Sequence, residues 1–200
     1  MSRGRLEAFS DGVIAVIITI MVLDLHSPAG HGFHDLRSLA PEFGAYILSF
    51  TFLAIYWNNH HHLMQVVERI SGSVLWANAH LLFWLSLTPF ATAWLGSHSN
   101  DIAPAVTYGV VQLGAAIAFL ILTRTLLAVH AKDSPLAIAL GEDRKGKLSA
   151  AAYALAIVLA FAEPWLAIGI YVAVAIVWFI PDRRFERAKG TAVEGDRIGE

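Results

Sequence analysis

The residues able to do chemistry in this chain fall in three short stretches, each set inside a long apolar run. Arg5, Ser10 and Asp11 lie in RLEAFSDG, Trp57, Asn58, Asn59, His60, His61 and His62 in YWNNHHHLM, and Asn78 and His80 in WANAHLL. Three consecutive histidines invite a metal site. Successive residues of a helix, however, point about 100 degrees apart, whereas helical metal pairs use i, i+3 or i, i+4 spacing. Neither an HExxH pattern nor a second histidine pair accompanies the triplet, so no metal and no cofactor are expected. Asp11, His60 or His61 could act as a base, but no nucleophile motif or cofactor fingerprint stands near them, and an enzyme is not expected. The chain has no cysteine, which removes disulfides, thiolate metal sites and cysteine nucleophiles together.

What remains for these groups is bonding to one another. A polar or ionisable side chain inside a membrane span must face protein, water or a partner. For Asp11 two readings stand: a carboxylate near the interface, stabilised by the positive end of its helix, or a functional group. Predicted depth brings Arg5, Ser10, Asp11, Trp57 and one of the histidines to the same membrane face, where they can form an inter-helix polar network. Structural bonding is favoured over proton sensing.

The elements that must position these residues follow from composition. The chain has 200 residues, 56% of them hydrophobic and only 15% charged, with a mean hydropathy of +0.58. Apolar segments cover residues 8–25, 43–67, 74–95, 105–129 and 148–180. The last, 33 residues long, would measure roughly 50 Å as one helix against a hydrocarbon core of about 30 Å, so it should break. Glu163-Pro164 supplies the break, giving segments 148–163 and 164–180 as a hairpin. Pro89 should kink the third segment. The fold expected is an all-α membrane protein with six transmembrane helices over residues 1–181, followed by a polar tail at 182–200. Arg3 and Arg5 precede the first apolar run as in a signal peptide, but Asp24 and Leu25 follow it where small residues are wanted, so it reads as a retained helix.

Charge gives the six helices a direction. An even count puts both termini on one side, and that side then holds 13 of the 14 lysines and arginines, the exception being Arg37. By the positive-inside rule both termini are cytoplasmic, in a multi-pass protein of the cell membrane. With a net charge of only −2, no nucleic-acid partner is expected. On the first helix Val16, Ile20 and Leu23 fall at i, i+4 and i+7 with Thr19 beside them, a stripe that alone reads as packing against neighbouring helices. One six-helix subunit with so few intramembrane charges is unsuited to enclose a hydrated route by itself, and a symmetric assembly is the economical solution.

Three stretches together resemble the prokaryotic branch of the Transmembrane Protein 175 potassium-channel family. They are Arg5-x-x-x-Phe9-Ser10-Asp11, Trp57-x-Asn59-His60-His61 and Leu85-Ser86-Leu87-x-Pro89-Phe90, and the resemblance covers roughly residues 5–96. Ala91 and Met64 depart from it, where a proline and an aromatic are expected. The resemblance implies a homotetramer with the first helices around a central pore that conducts potassium, and other monovalent cations with it, passively across the lipid bilayer. By family position Val16 would form the narrow hydrophobic constriction, smaller than the isoleucine or leucine expected there. Ile20 and Leu23 would be further apolar rings, and Thr19 a hydroxyl layer associated with potassium preference. The Phe-Ser-Asp motif would belong to a structural network of Arg5, Phe9, Ser10, Asp11, Trp57, Asn59, His60, His61 and Asn78. No TVGYG loop is present, and Thr107-Tyr108-Gly109-Val110 sits in a predicted span, so a conventional potassium filter is excluded. The alternative is a proton-coupled secondary transporter using Asp11 and the histidines, but the sequence offers little polarity at the midplane where a substrate would bind.

Overall fold

The computed structural model describes residues 2–28, 30–131, 134, 136–137 and 143–179, and every regular element among them is helical. The expected tail at 182–200, Lys132 and the last residue of the sixth segment lie outside the described residues. Helix α1 spans Arg3–Leu23. A 3-10 segment, Phe33–Leu39, leads directly into α2 at Ala40–Val66, whose Pro41 occupies the first turn, where no backbone N–H is needed. Ser71 caps α3, Gly72–Ser86, by accepting the N–H of Val74. The third apolar segment then breaks instead of kinking: α3 stops at Ser86 and α4 runs Thr88–Ser97. The reason is Pro89, which has no N–H for the carbonyl of Leu85 and would clash with it, but fits the opening turn of a new helix.

Helix α5 spans Ile102–Ala128, α6 Arg144–Ala160 and α7 Pro164–Phe179. Asp143 caps α6 through the N–H of Gly146 at 3.0 Å, so that helix begins four residues before the expected 148. The break at Glu163-Pro164 is present, with Glu163 accepting the N–H of Trp165 at 3.3 Å. Among the described residues, four helical stretches are long and apolar enough to cross a membrane: Arg3–Leu23, Phe33–Val66, Gly72–Ser97 and Ile102–Ala128. The α6–α7 hairpin supplies two shorter helices, α6 opening on the basic residues Arg144, Lys145 and Lys147.

Two cores hold the helices together. One joins Ile14, Ile17 and Met21 of α1 to Leu63 of α2, Leu81 of α3 and Leu122 of α5. The other joins Phe52 of α2, Leu95 of α4 and Tyr108 of α5 to Tyr153 of α6 and Tyr171 of α7. Alanines 105, 156, 160 and 167 are fully buried in the second core, where small side chains let helix backbones approach. A second polar cluster, unforeseen from sequence, lies inside it. Ser49 is 3.0 Å from the Tyr108 hydroxyl and 2.7 Å from Thr92, and Tyr171 donates to the carbonyl of Ala105 at 3.0 Å. These residues lie far apart in sequence, and only the packing pairs them.

Helix α5 carries both cores, packing against α3, α4, α6 and α7. Its contact with α3 is tight at Gly114, where a Cβ atom would clash with the Trp84 ring. Gly114→Val should therefore force Trp84 from its place at a cost of about 1–3 kcal/mol, read as a lowered midpoint of thermal unfolding in the purified protein.

Candidate functional site

Helix α1 has one packed side and one bare side. Leu6, Ser10, Ile14, Ile17 and Met21 are buried against α2, α3 and α4. On the other side Val16 is 56% exposed, Ile20 44% and Leu23 80%, and Thr19 is exposed among them. The four expected pathway residues thus share one face at i, i+3, i+4 and i+7. Thr19 donates its hydroxyl proton to the carbonyl of Val16 at 2.9 Å. With its only proton spent on the helix, the oxygen presents lone pairs outward, the polarity that a cation needs. No described residue covers this face from the front.

Two polar seams fix the rotation of α1. The first is fully buried. His60 lies 2.8 Å from Asn78 Oδ1, Asn78 Nδ2 donates to Ser10 Oγ at 2.9 Å, and Ser10 donates to the carbonyl of Leu6 at 2.9 Å. Ser10 and His60 are 0% exposed and Asn78 1%. Since Asn78 Oδ1 can only accept, Nε2 of His60 carries a proton, and each member of the chain donates to the next. The other ring nitrogen, Nδ1, has no hydrogen-bond partner among the described residues. A second proton there would have no acceptor, so His60 serves as a neutral donor and not as a link in a relay.

The second seam is an antiparallel ladder between α1 and α2. Trp57 donates its indole N–H to Asp11 at 3.0 Å, His61 Nδ1 meets Glu7 at 3.0 Å, and Arg3 donates to the carbonyl of Gln65 at 3.3 Å. Residues 3, 7 and 11 of one helix thus meet 65, 61 and 57 of the other, every fourth position on each. Gln65 closes the ladder by donating to His61 Nε2 at 2.7 Å, and the Trp57 ring stacks on His61 with centroids 5.9 Å apart.

Not every expected member joins. Arg5 is exposed and bonds to nothing among the described residues, because it lies two positions, about 200 degrees, around the helix from Arg3. Asn59 donates back to the carbonyl of Ile55 at 2.9 Å, spending its amide on its own helix. Phe9 is 57% exposed, in an apolar groove shared with Val16, Ile20, Pro89 and Phe90. Glu7, Arg3 and Gln65 went unforeseen. The signal for them was available as their four-residue spacing from Asp11 and His61. Among the described residues no three histidines and carboxylates converge on one point, since His60 and His61 turn to different helices.

Residues 5–89 match the protein family described as endosomal/lysosomal potassium channel TMEM175. The chain is 48% identical over 188 residues to a potassium channel of Chryseobacterium sp. (strain P1-3), an alignment covering 94% of this chain and 98% of that one. It is 31% identical over 191 residues to a potassium channel of Chamaesiphon minutus, covering 86% and 91%. Its fold is similar to the crystal structure of a lysosomal potassium-selective channel TMEM175 homolog from Chamaesiphon minutus. There the TM-score is 0.78 at 30% identity, over 89% of this chain and 96% of that one.

The buried seam can be weighed by a double-mutant cycle. Asn78→Leu leaves the His60 N–H buried without an acceptor and should cost about 1–3 kcal/mol. Adding His60→Leu to it should cost less than the two single changes summed, because the orphaned donor is gone. Unfolding midpoints of the four proteins in one detergent check this, and strict additivity would mean that the two side chains are not coupled.

Proposed function

This chain belongs to the TMEM175 potassium-channel family, and on that premise we propose that it is a potassium-selective, leak-type cation channel. Four copies assemble about an axis, and the six-helix domain over residues 1–181 is the conducting unit. The bare face of α1 lines the pathway. Val16 forms the hydrophobic constriction, Ile20 and Leu23 form apolar rings beyond it, and Thr19 offers hydroxyl oxygens in place of part of the ion's hydration shell. Potassium is the permeant ion, and other monovalent cations are competitors for the same route. The cell membrane is the site, with both termini in the cytoplasm, as the lysine and arginine bias supports.

One observation carries this reading: α1 is locked from behind by two polar seams while the face centred on Thr19 stays unpacked. A helix fixed so firmly on one side and bare on the other is suited to line a shared axis. Apolar rings there can gate by narrowing and dewetting. Valine leaves a wider ring than isoleucine or leucine would, which points to a loosely closed gate. The transporter reading has less support. His60 is a one-way donor and Asp11 is held by Trp57, so the polar groups end in fixed bonds instead of opening onto a substrate site.

Purified protein in liposomes should pass potassium down a gradient in preference to sodium, and absence of flux across voltages and pH values would sink the channel reading. Val16→Ala and Leu23→Ala should raise leak. A barrier lowered by about 1.4 kcal/mol gives about tenfold more flux. Thr19→Ala should weaken the preference for potassium over sodium. Because the native chain has no cysteine, single cysteines at positions 16, 20 and 23 are clean reporters. Modification by water-soluble reagents is expected, and reaction only with lipid-soluble ones would disprove the pore assignment.

A further inference from the structure

The turn between α2 and α3, residues 67–71, is held from two sides by bonds of opposite polarity. From α1, Arg3 donates to the carbonyls of Gln65 and Val67, both at 3.3 Å. From the end of α5, His130 offers Nε2 as acceptor to the backbone N–H groups of Glu68 at 3.1 Å and Arg69 at 3.3 Å. Its other nitrogen, Nδ1, lies 2.8 Å from the carbonyl of Leu126. A carbonyl only accepts and a backbone N–H only donates, so the ring proton must sit on Nδ1 and the lone pair on Nε2. The site accommodates the neutral ring alone. A second proton would set an N–H against two backbone N–H groups, turning two attractive contacts into repulsion.

We infer that His130 is a proton-sensitive latch: when it takes up a proton, the α2–α3 turn is released from α5, and the first turn of α1, tied to the same turn through Arg3, loosens with it. The coupling is short. His130 grips the amides of residues 68 and 69, and the carbonyl of the adjacent Val67 is one of the two that hold Arg3. Among the described residues, the ionisable groups on the elements around this end include Glu68 and Arg69 on the turn, Arg3, Arg5 and Glu7 on α1, His61 and His62 on α2, Arg124 on α5, and Asp143, Arg144, Lys145 and Lys147 opening α6. Glu7 is taken by His61, and Asp143 by the N–H of Gly146. Glu68, exposed and without a side-chain hydrogen bond among the described residues, is the acceptor toward which a charged His130 would turn on leaving the amides. An ordinary histidine changes charge between about pH 5 and 8, which sets the pH interval of the test.

The test does not require conduction, so it can fail or succeed independently of the channel reading. Full-length protein in lipid nanodiscs is spin-labelled at R69C or, separately, at R5C, two exposed positions in a chain with no native cysteine. The expected result is a fall of about threefold or more in the rotational correlation time of the label between about pH 7.5 and about pH 5.5, at both positions. H130A should give a mobile label at both pH values. H130Q, whose amide oxygen can accept the same two N–H groups without titrating, should lose the pH response. A pH-independent label at position 69 in the otherwise native chain overturns the latch, as does a response that persists in H130A or H130Q. A response abolished by H61Q but kept in H130Q would place the switch in the ladder instead, and also overturns it. Loosening at position 69 without loosening at position 5 overturns the transmission to α1.

Discussion

Inside a membrane a polar side chain has no water to fall back on, so every hydroxyl, amide and imidazole on these helices must find a partner on another helix or on its own backbone. That requirement organises the end of the helix bundle where α1 begins and α2 ends. Ser10, Asn78 and His60 satisfy one another across α1, α2 and α3, and Arg3, Glu7 and Asp11 are satisfied along α2. Neither seam survives rotation of α1 by even one residue, because a turn of about 100 degrees would leave several buried groups without partners at once. The rotational setting of α1 is therefore the quantity on which the rest depends.

From that setting the functional face follows. With residues 3, 7, 10, 11 and 14 turned inward or sideways, residues 16, 19, 20 and 23 face away from the subunit. The C-terminal half of α1 is steadied differently, by the apolar contacts of Ile17 and Met21 with the first core and by α4, which Pro89 sets off as a separate helix. Behind α4 the Ser49, Thr92 and Tyr108 cluster ties α2, α4 and α5 together. Helix α1 is thus mounted at its N-terminal end by hydrogen bonds and along its length by shape. Its other side, with Val16, Thr19, Ile20 and Leu23, is left without packing from the described residues.

Much of this was legible in one dimension. Apolar runs of spanning length, the break at Glu163-Pro164 and the lysine and arginine bias are local or additive signals, and each depends on counting residues. Membership in the family was likewise carried by short motifs, Phe9-Ser10-Asp11 above all. What resisted was partner choice. Arg5 and Arg3 are alike as residues, yet only Arg3 reaches α2. Asn59 stands beside His60, yet turns back on its own helix. Glu7 and Gln65 join the ladder only because α2 lies antiparallel to α1 in one particular register.

The sequence by itself determined that this is a six-helix membrane protein of the TMEM175 family, which residues are too polar to face lipid, and which stripe of α1 is apolar with one hydroxyl. Tertiary structure alone decided which polar groups pair, that His60 must be neutral and one-directional, and that His130 closes on the α2–α3 turn. The physical reason is that hydropathy and helical period are properties of a segment, whereas a hydrogen bond needs a donor and an acceptor within about 3 Å and correctly aimed. That geometry is created only when two helices are brought together at a fixed rotation and register.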